Sequence, residues 1–399
     1  MIDVVITGMG VCCALGTSLP EFTQNLQAGT NGIRPISLFD PAAYRFQRAG
    51  GEIKDLHFDN GLDRASNLAL YAAESAVQDS GLDLITHPTL PKHTAVVLGT
   101  NSGGVTTQES ISRRWQHEQT ALSTTQLDEV PFHVMAKQIA NRYDLQGPAI
   151  TVTIACASGG GAIAQGANLI KYGLADVVLA GGSDTISDFT FSGFSALRAM
   201  TTDEIRPFDR HRKGLAVGEG AAIVILESLS HAQQRRAKID AKIAGYGIFN
   251  DAYHSTAPDP KGKGMAKSIQ HALKMAHLSP QDLQYINAHG TATQHNDKNK
   301  MESQAFHHVF GKHIKKLPVS STKSMIGHTL GAAGAIEMVA AILAMKHHFI
   351  PPTINSLEPD PALDLDIVPN QARTAHLERV LSCNAGFAGH NAAIILESL

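Results

Sequence analysis

The chain has 399 residues, of which 43% are hydrophobic and 17% are charged. So many apolar side chains can build a large core, and the composition excludes a globally disordered chain. The 33 lysines and arginines against 36 aspartates and glutamates give a net charge of −3. No long basic run is present, so a nucleic-acid-binding surface is not expected.

The sequence predicts neither export nor membrane insertion. The longest apolar stretch, Leu330–Met345, is interrupted by Glu337, so no transmembrane span is expected. No lysine or arginine precedes Arg34, so the N-terminus lacks the charged start of a signal peptide. The four cysteines are too few for a disulfide framework, and we expect reduced thiols in the cytoplasm.

Short β-branched segments alternate with helical patterns along the chain. The predicted strands are Val4–Thr7, Thr94–Leu98, Ile150–Ile154, Val177–Leu179 and Ala222–Leu226. The predicted helices are Asn67–Gln78, Gly159–Lys171, Lys263–Ala276 and Ala332–Lys346. This alternation predicts an α/β fold with a largely parallel sheet covered by helices.

Two segments of the chain repeat one order of features. Residues 150–172 and 318–346 each run from a strand through a polar turn and a Gly-Ala-Ile triplet into an alanine-rich helix. The repeat is consistent with two fused halves, 1–245 and 246–399. It is equally consistent with the general similarity of βα units, so the sequence leaves both explanations open.

Cofactor motifs are absent from the sequence. Gly8 and Gly10 follow a strand as in a dinucleotide-binding loop, but Cys13 stands where the third glycine of that fingerprint belongs. No Walker A, C-x-x-C or H-E-x-x-H sequence occurs. We therefore expect neither a nucleotide cofactor nor a metal.

Cys156 lies between a buried strand and a helix rich in small residues, which places its sulfur at a helix N-terminus. The free N–H groups and the helix dipole there favour a thiolate and predict a lowered thiol pKa. A buried structural cysteine is the alternative. Polar turns holding His289, Lys323 with His328, and Phe387 also follow predicted strands, and sites in α/β sheets gather at the carboxyl ends of strands.

Four motifs carry a specific resemblance that extends over essentially the whole chain. They are ACAS at 155–158, AHGTAT at 288–293, STKSMIGHTLGAAG at 321–334 and GFAGHN at 386–391. With these motifs the chain resembles the elongating β-ketoacyl-acyl carrier protein synthases of the condensing-enzyme family. That resemblance implies the thiolase fold, with two pseudo-symmetric βαβαβ halves forming a layered α/β/α/β/α core.

The resemblance also implies a division of labour among the motif residues. Cys156 would be the nucleophile that takes up an acyl group. His289 and His328 would hold the malonyl thioester oxygen during decarboxylation, and the backbone N–H groups of Cys156 and Phe387 would form an oxyanion hole. Phe387 and Phe194 would gate the acyl entrance.

Further residues are assigned by the same resemblance. Lys323 would lie near His328 and pair with Glu302, with Asp297 in a supporting role. Arg64 and Arg198 would receive a negatively charged carrier protein at the entrance.

Two departures from the family pattern concern the acyl pocket. Ser102 and Ala385 stand where related enzymes carry bulkier residues, so we expect a pocket that is less restrictive for long or stiff acyl chains. A specialised polyketide or polyene pathway is therefore as consistent with the sequence as fatty-acid synthesis.

The expected partners are acyl- and malonyl-loaded acyl carrier proteins and a second copy of the chain. A heterodimer with a chain-length-factor-like subunit remains an alternative. A thiolase is the second enzymatic alternative, because Cys383 lies near the last turn. However, Cys383 precedes Phe387 by four residues, and thiolases lack the second histidine in a Gly-His-Thr setting that His328 represents here.

Overall fold

The computed structural model describes residues 2–44, 49–118, 124–293, 296 and 301–399. The strands are β1 (Val4–Cys13), β2 (Arg34–Pro35), β3 (Ala49–Gly50), β4 (Thr94–Gly99), β5 (Ala149–Val152), β6 (Val177–Asp184), β7 (Gly220–Ser228), β8 (Ala241–Asn250), β9 (Tyr285–Asn287), β10 (Pro318–Ser320), β11 (Phe349–Ile350), β12 (Asp366–Ile367), β13 (Arg373–Thr374), β14 (Arg379–Gly386) and β15 (His390–Glu397). The helices are α1 (Leu19–Ala28), α2 (Arg64–Ser80), α3 (Val105–Glu118), α4 (Thr124–Leu127), α5 (Val134–Arg142), α6 (Ser158–Lys171), α7 (Asp188–Ala196), α8 (Leu229–Gln234), α9 (Lys263–Ala276), α10 (Met301–Phe310), α11 (Lys323–Ile326) and α12 (Ala333–His347). Every strand and helix predicted above is present.

Eleven of these strands form one mixed sheet in the order β12-β10-β9-β14-β15-β8-β1-β7-β6-β4-β5. The expectation of a largely parallel sheet was wrong, because five of its ten pairings are antiparallel. The antiparallel pairs surround the centre, where the long strands β1, β7, β8 and β15 lie side by side. These strands have continuous hydrophobic runs, as strands buried on both faces do. Such runs do not indicate whether neighbouring strands are parallel or antiparallel.

The pairing repeats itself on either side of the central pair β1–β8. Outward from β1, the order is antiparallel β7, antiparallel β6, parallel β4 and parallel β5. Outward from β8, the order is antiparallel β15, antiparallel β14, parallel β9 and parallel β10. This repetition supports the duplication. The boundary at residue 245 stays a prediction, and it falls inside β8.

Helices cover both faces of the sheet and fill the space between its two halves. Helix α2 packs on β1 and β7, and α9 packs on β8 and β15. Helices α6 and α12 contact each other, with α6 on β4 and β6 and α12 on β7 and β14. The resulting order of helix, sheet, helix, sheet, helix is the layered core that the resemblance implied.

The glycines that mimic a dinucleotide loop serve close packing. A Cβ on Gly10 would lie 2.0 Å from the backbone oxygen of Ala72, and one on Gly8 would lie 2.6 Å from that of Ala76. Only glycine lets β1 approach α2 this closely.

The central helices are buried along their length. In the described part of the chain, one helical stretch, Leu330–His347, has the length and hydropathy of a membrane span, and 89% of it is buried inside the protein. Helices α6 and α12 approach each other closely at glycines that carry no side chain. A Cβ on Gly334 would lie 2.7 Å from the Gly160 backbone nitrogen.

Candidate active site

Cys156 lies in the tight turn between β5 and α6. Ala155 adopts a left-handed φ of 52°, a conformation that residues with a Cβ rarely adopt. The Ser158 hydroxyl stabilises the turn, accepting from the Ile154 N–H at 2.9 Å and donating to the Ala155 oxygen at 2.6 Å. A Cβ on Gly386 would lie 3.0 Å from the Cys156 nitrogen. Glycine at position 386 therefore lets the end of β14 lie close to this turn.

The environment of the thiol corrects one sequence expectation. Burial raises the pKa of Cys156 to about 12, although Lys323 and the backbone N–H groups of Cys156 and Phe387 each favour the thiolate. The expected depression of the thiol pKa was wrong for the free protein, because desolvation outweighs the helix N-terminus. The two N–H groups that act on the sulfur are those assigned to the oxyanion hole.

His289 is held through its backbone by a buried carboxylate. Glu302, near the start of α10, accepts the N–H of His289 at 2.6 Å and that of Gly290 at 3.0 Å. The Ser321 hydroxyl donates to the Gly290 oxygen at 2.7 Å, which ties this turn to the one that follows β10.

His328 is held by the amino-terminal half of the chain. Its N–H donates to the Ala216 oxygen at 2.7 Å, and its own oxygen accepts the Gly218 N–H at 2.9 Å. Gly327 has a φ of 73°, a value suited to glycine, and so turns the chain between α11 and His328. The two halves therefore meet at this histidine.

The two imidazoles face each other edge to face, with ring centroids 5.4 Å apart. Burial and the nearby Lys323 charge hold the pKa of both His289 and His328 well below the usual value. Each ring is therefore neutral near pH 7 and carries one N–H donor. Both Nδ1 atoms are buried, and neither has a hydrogen-bond partner among the described residues.

The partner of Lys323 differs from the expected one. Its ammonium pairs with Glu337 on α12, and Glu337 also accepts the Asn384 side-chain N–H at 2.6 Å. The predicted pair with Glu302 was wrong, because both oxygens of Glu302 serve the His289 turn. Asp297 lies outside the described residues.

A cavity of about 120 Å³ brings the predicted reacting groups together. Cys156, His289 and His328 line it, as do Phe194 and Phe387, whose ring centroids are 5.9 Å apart. The remaining lining residues are Leu197, Ala199, Leu215, Thr256, Pro258, Thr291, Thr293, Asn296, Met301, Ala385 and Gly386.

The two residues assigned to the acyl pocket have different places. Ala385 lines the cavity, whereas Ser102 does not. The backbone N–H of Ser102 donates to Asp184 at 3.0 Å instead. The turn beyond Phe387 is strained, because Ala388 has a φ of 59° in a position that suits glycine.

The two arginines assigned to carrier docking also differ. Arg64 was wrongly placed on that surface, because its guanidinium binds both oxygens of the buried Glu219, at 2.6 and 3.0 Å. Its side chain is only 15% exposed. Arg198 is exposed and follows Leu197, which lines the cavity. It forms no ion pair with any described residue.

Sequence reasoning missed three buried polar residues near the site. Glu337 was read only as an interruption of an apolar stretch, although a charge inside a core helix requires a partner and so points to Lys323. Asn384 and Asp184 gave no signal beyond lying at the ends of strands. Among residues 2–44, 49–118, 124–293, 296 and 301–399, no group of three His, Cys, Asp or Glu side chains could hold a metal ion.

Known proteins share this architecture and these motifs. Residues 1–232 match the family described as Beta-ketoacyl synthase, N-terminal domain, and residues 240–357 match Beta-ketoacyl synthase, C-terminal domain. The chain is 39% identical to the putative polyketide beta-ketoacyl synthase 1 of Streptomyces cyaneus, over 98% of this chain and 97% of that protein. It is 38% identical to the 3-oxoacyl-[acyl-carrier-protein] synthase 2 of Coxiella burnetii, over 99% and 98%.

Among solved structures, the ishigamide ketosynthase/chain length factor superposes with a TM-score of 0.92 at 36% identity. The match covers 100% of this chain and 99% of that one. The fold, the motif residues in one cavity and the relatives along the full length agree, and the chain belongs to the β-ketoacyl synthase family.

Proposed function

We propose that this protein is an elongating 3-oxoacyl-acyl carrier protein synthase that condenses a Cys156-bound acyl group with malonyl-acyl carrier protein. One observation carries the proposal: Cys156, His289 and His328 line a single cavity, and the backbone N–H groups of Cys156 and Phe387 favour the thiolate form of the sulfur. This arrangement provides a nucleophile, two neutral donors and an oxyanion hole.

The first half-reaction is acyl transfer. The Cys156 sulfur attacks the carbonyl of the acyl-carrier thioester, and the N–H groups of Cys156 and Phe387 stabilise the oxyanion. The carbon–sulfur bond to the carrier breaks, and the thiol proton passes to the departing carrier sulfur. Burial keeps Cys156 protonated in the free protein. The proton therefore leaves the sulfur during the attack itself.

The second half-reaction forms the carbon–carbon bond. The N–H donors of His289 and His328 hold the malonyl thioester oxygen, so that loss of CO₂ leaves an enolate whose charge they stabilise. The enolate carbon attacks the Cys156 thioester. The tetrahedral adduct then expels the Cys156 thiolate, which takes up a proton from solvent. Neutral imidazoles suit this role, because each carries an N–H group that can donate to the bound oxygen.

Lys323 acts through its charge. It lies in a buried pair with Glu337, and its positive charge lowers the pKa of both histidines. We assign it to keeping both imidazoles neutral. Phe194 and Phe387 gate the acyl entrance, Ala385 provides room in the cavity, and Arg198 offers an unpaired charge to the carrier protein beside the entrance.

A ketosynthase subunit that requires a chain-length-factor-like partner is the second candidate. The similarity to a ketosynthase/chain length factor structure favours it. Strand β5 is an edge of the sheet with its first residue exposed, which leaves room for a partner strand. A homodimer would use the same edge. A thiolase is disfavoured, because Cys383 is fully buried and does not line the cavity. We place the protein in the cytoplasm.

The test is an intact-mass measurement after mixing the protein with carrier proteins that carry short saturated, long saturated or conjugated acyl chains. An acyl adduct on the wild type and none on Cys156→Ala supports the proposal, and the preferred chain separates fatty-acid from specialised synthesis. An adduct that forms only when a chain-length-factor-like subunit is added favours the second candidate. An adduct that persists in Cys156→Ala overturns the assignment of the nucleophile.

A further inference from the structure

Asp184 ends β6 and is completely buried, yet it takes no part in the chemistry described above. Its carboxylate accepts three hydrogen bonds from the loop after β4: from the Thr100 hydroxyl at 2.9 Å, the Asn101 N–H at 2.8 Å and the Ser102 N–H at 3.0 Å. A fourth comes from the Gly331 N–H at 2.6 Å. A buried carboxylate with four donors is an unusually strong local constraint.

The fourth donor belongs to the other half of the chain. Gly331 lies three residues after His328, between that histidine and helix α12. Leu330, just before it, has a left-handed φ of 53°, a conformation that the surrounding contacts must maintain. Asp184 therefore ties the turn that carries His328 to the amino-terminal half.

The contact at Gly331 leaves no space for adjustment. A Cβ on Gly331 would lie 2.6 Å from both the Asp184 Oδ2 and the Asn101 nitrogen. The Gly331 oxygen would lie 2.8 Å from a Cβ on Gly159, in the first turn of the helix that follows Cys156. The position of the His328 turn is thus set against the same elements that carry the nucleophile.

The His328 ring packs against His289, but its Nδ1 has no hydrogen bond from a described residue that would fix its orientation. The backbone of the turn therefore positions the imidazole. The N–H and oxygen of His328 itself bind Ala216 and Gly218, and three residues further on the Gly331 N–H binds Asp184. We propose that Asp184 is a positioning residue for decarboxylation, which holds the 328–331 turn so that His328 faces the malonyl thioester.

This inference rests on the proposed function, and it predicts a split between the two half-reactions. Acylation uses Cys156 and the oxyanion hole, which do not depend on the position of His328. Decarboxylation uses His328 directly. Loss of the Asp184 contact should therefore slow decarboxylation much more than acylation, without weakening malonyl-carrier binding.

The test compares Asp184→Asn with wild type in the full-length protein. Acylation is followed by intact mass, and decarboxylation by conversion of malonyl-carrier to acetyl-carrier protein. Since small misplacements of catalytic groups are costly, we expect kcat for decarboxylation to fall by about tenfold to a hundredfold. The KM for malonyl-carrier should stay near wild type, and the acylation rate should not fall, because the Asp184 charge raises the pKa of Cys156 and its removal does not disfavour the thiolate.

Asp63→Asn is the matched control. Asp63 is also a buried aspartate and accepts the Ala65 N–H, the Thr107 N–H and the Thr106 hydroxyl, but none of these donors belongs to the turn that carries His328. It should leave the ratio of the two rates unchanged. A ratio in Asp184→Asn that equals that of the control would overturn the proposal.

Gly331→Ala keeps the test decisive if Asp184→Asn does not fold. Its added Cβ would lie 2.6 Å from the same Asp184 oxygen, so it should displace the Gly331 contact and reproduce the selective loss of decarboxylation. An equal loss of both half-reactions in this variant would overturn the proposal. A wild-type protein that neither acylates nor decarboxylates would instead contradict the proposed function.

Discussion

The turn after β5 and the turn after β10 occupy equivalent places in the two halves of the sheet, yet they hold different chemistry. Each follows the outermost parallel strand of the repeated pairing, and each leads into a central helix, α6 or α12. The first is short and uncharged and carries Cys156. The second contains the extra helix α11 and carries Lys323 and His328.

The difference extends into the central helices. Helix α6 begins with small residues and contains no buried charge, whereas α12 contains Glu337 paired with Lys323. A buried ion pair is costly to form, since its desolvation offsets much of the attraction. One copy of the βα unit thus holds a neutral thiol near backbone donors, and the other holds a charge that adds to burial in lowering the pKa of two imidazoles.

The largest effect should come from the first turn. Cys156→Ala removes the sulfur that we propose as the nucleophile and should abolish condensation. Cys156→Gln should still convert malonyl-carrier to acetyl-carrier protein, because His289 and His328 remain as donors. Product analysis by mass spectrometry checks both. A folded Cys156→Gln protein without decarboxylation would contradict the division between the turns.

The second turn should show the complementary effect. His328→Ala removes one donor to the enolate oxygen and should lower the decarboxylation rate by about 10²- to 10³-fold. Acylation of Cys156 should continue, and intact-mass kinetics measures it in the same sample. Equal losses in both half-reactions would mean that His328 also serves acyl transfer.

Variants of the buried Lys323–Glu337 pair can distinguish the effect of its charges on stability from the effect of its packing. Lys323→Met leaves Glu337 buried without its partner, and we expect a loss of about 3–5 kcal/mol in the free energy of unfolding. Adding Glu337→Leu to Lys323→Met should recover most of that loss, because neither charge is then buried alone. Urea denaturation measures all three proteins. Failure of the double variant to regain stability would show that the two side chains are needed for their shape as well.

The histidines should also give stability a pH dependence. Both have a folded pKa well below 6.5, so between pH 6.5 and that lower value the unfolded chain binds more protons than the folded one. The free energy of unfolding should therefore fall as pH drops below 6.5, by up to about 1.4 kcal/mol per pH unit for each histidine.

A variant isolates this contribution from other titrating groups. Asp184, whose pKa burial raises to about 6, acts in the opposite sense because its folded form holds a proton more tightly. His328→Asn should be less sensitive to acid than wild type between pH 7 and 5, as measured by urea denaturation at each pH. Identical pH profiles would indicate that folding does not lower the pKa of His328.

The smallest effects concern the shape of the cavity. Ala385→Phe fills space beside Cys156 and should shift the acyl preference toward shorter chains. Ser102→Ile should change the profile less, because Ser102 lies outside this cavity. Competition among acyl-carrier proteins of different length measures both. A larger effect at Ser102 would show that the acyl chain extends toward the loop after β4.

The sequence alone determined what kind of fold the chain adopts, and it indicated which residues are candidates for the reaction. Cys156, His289 and His328 lie in motifs whose residue types, spacing and placement after strands all point to one chemistry. The strands and helices followed from hydrophobic periodicity, since burial patterns are local in the chain.

Only the tertiary structure decided which charged and polar side chains bind each other. Lys323 pairs with Glu337 and not Glu302, Arg64 binds the buried Glu219, and Asp184 reaches Gly331 from the other half of the chain. Each is a long-range contact, and side-chain type does not specify which carboxylate comes close. The thiol pKa was also beyond the sequence, because it depends on how completely the folded chain removes Cys156 from water.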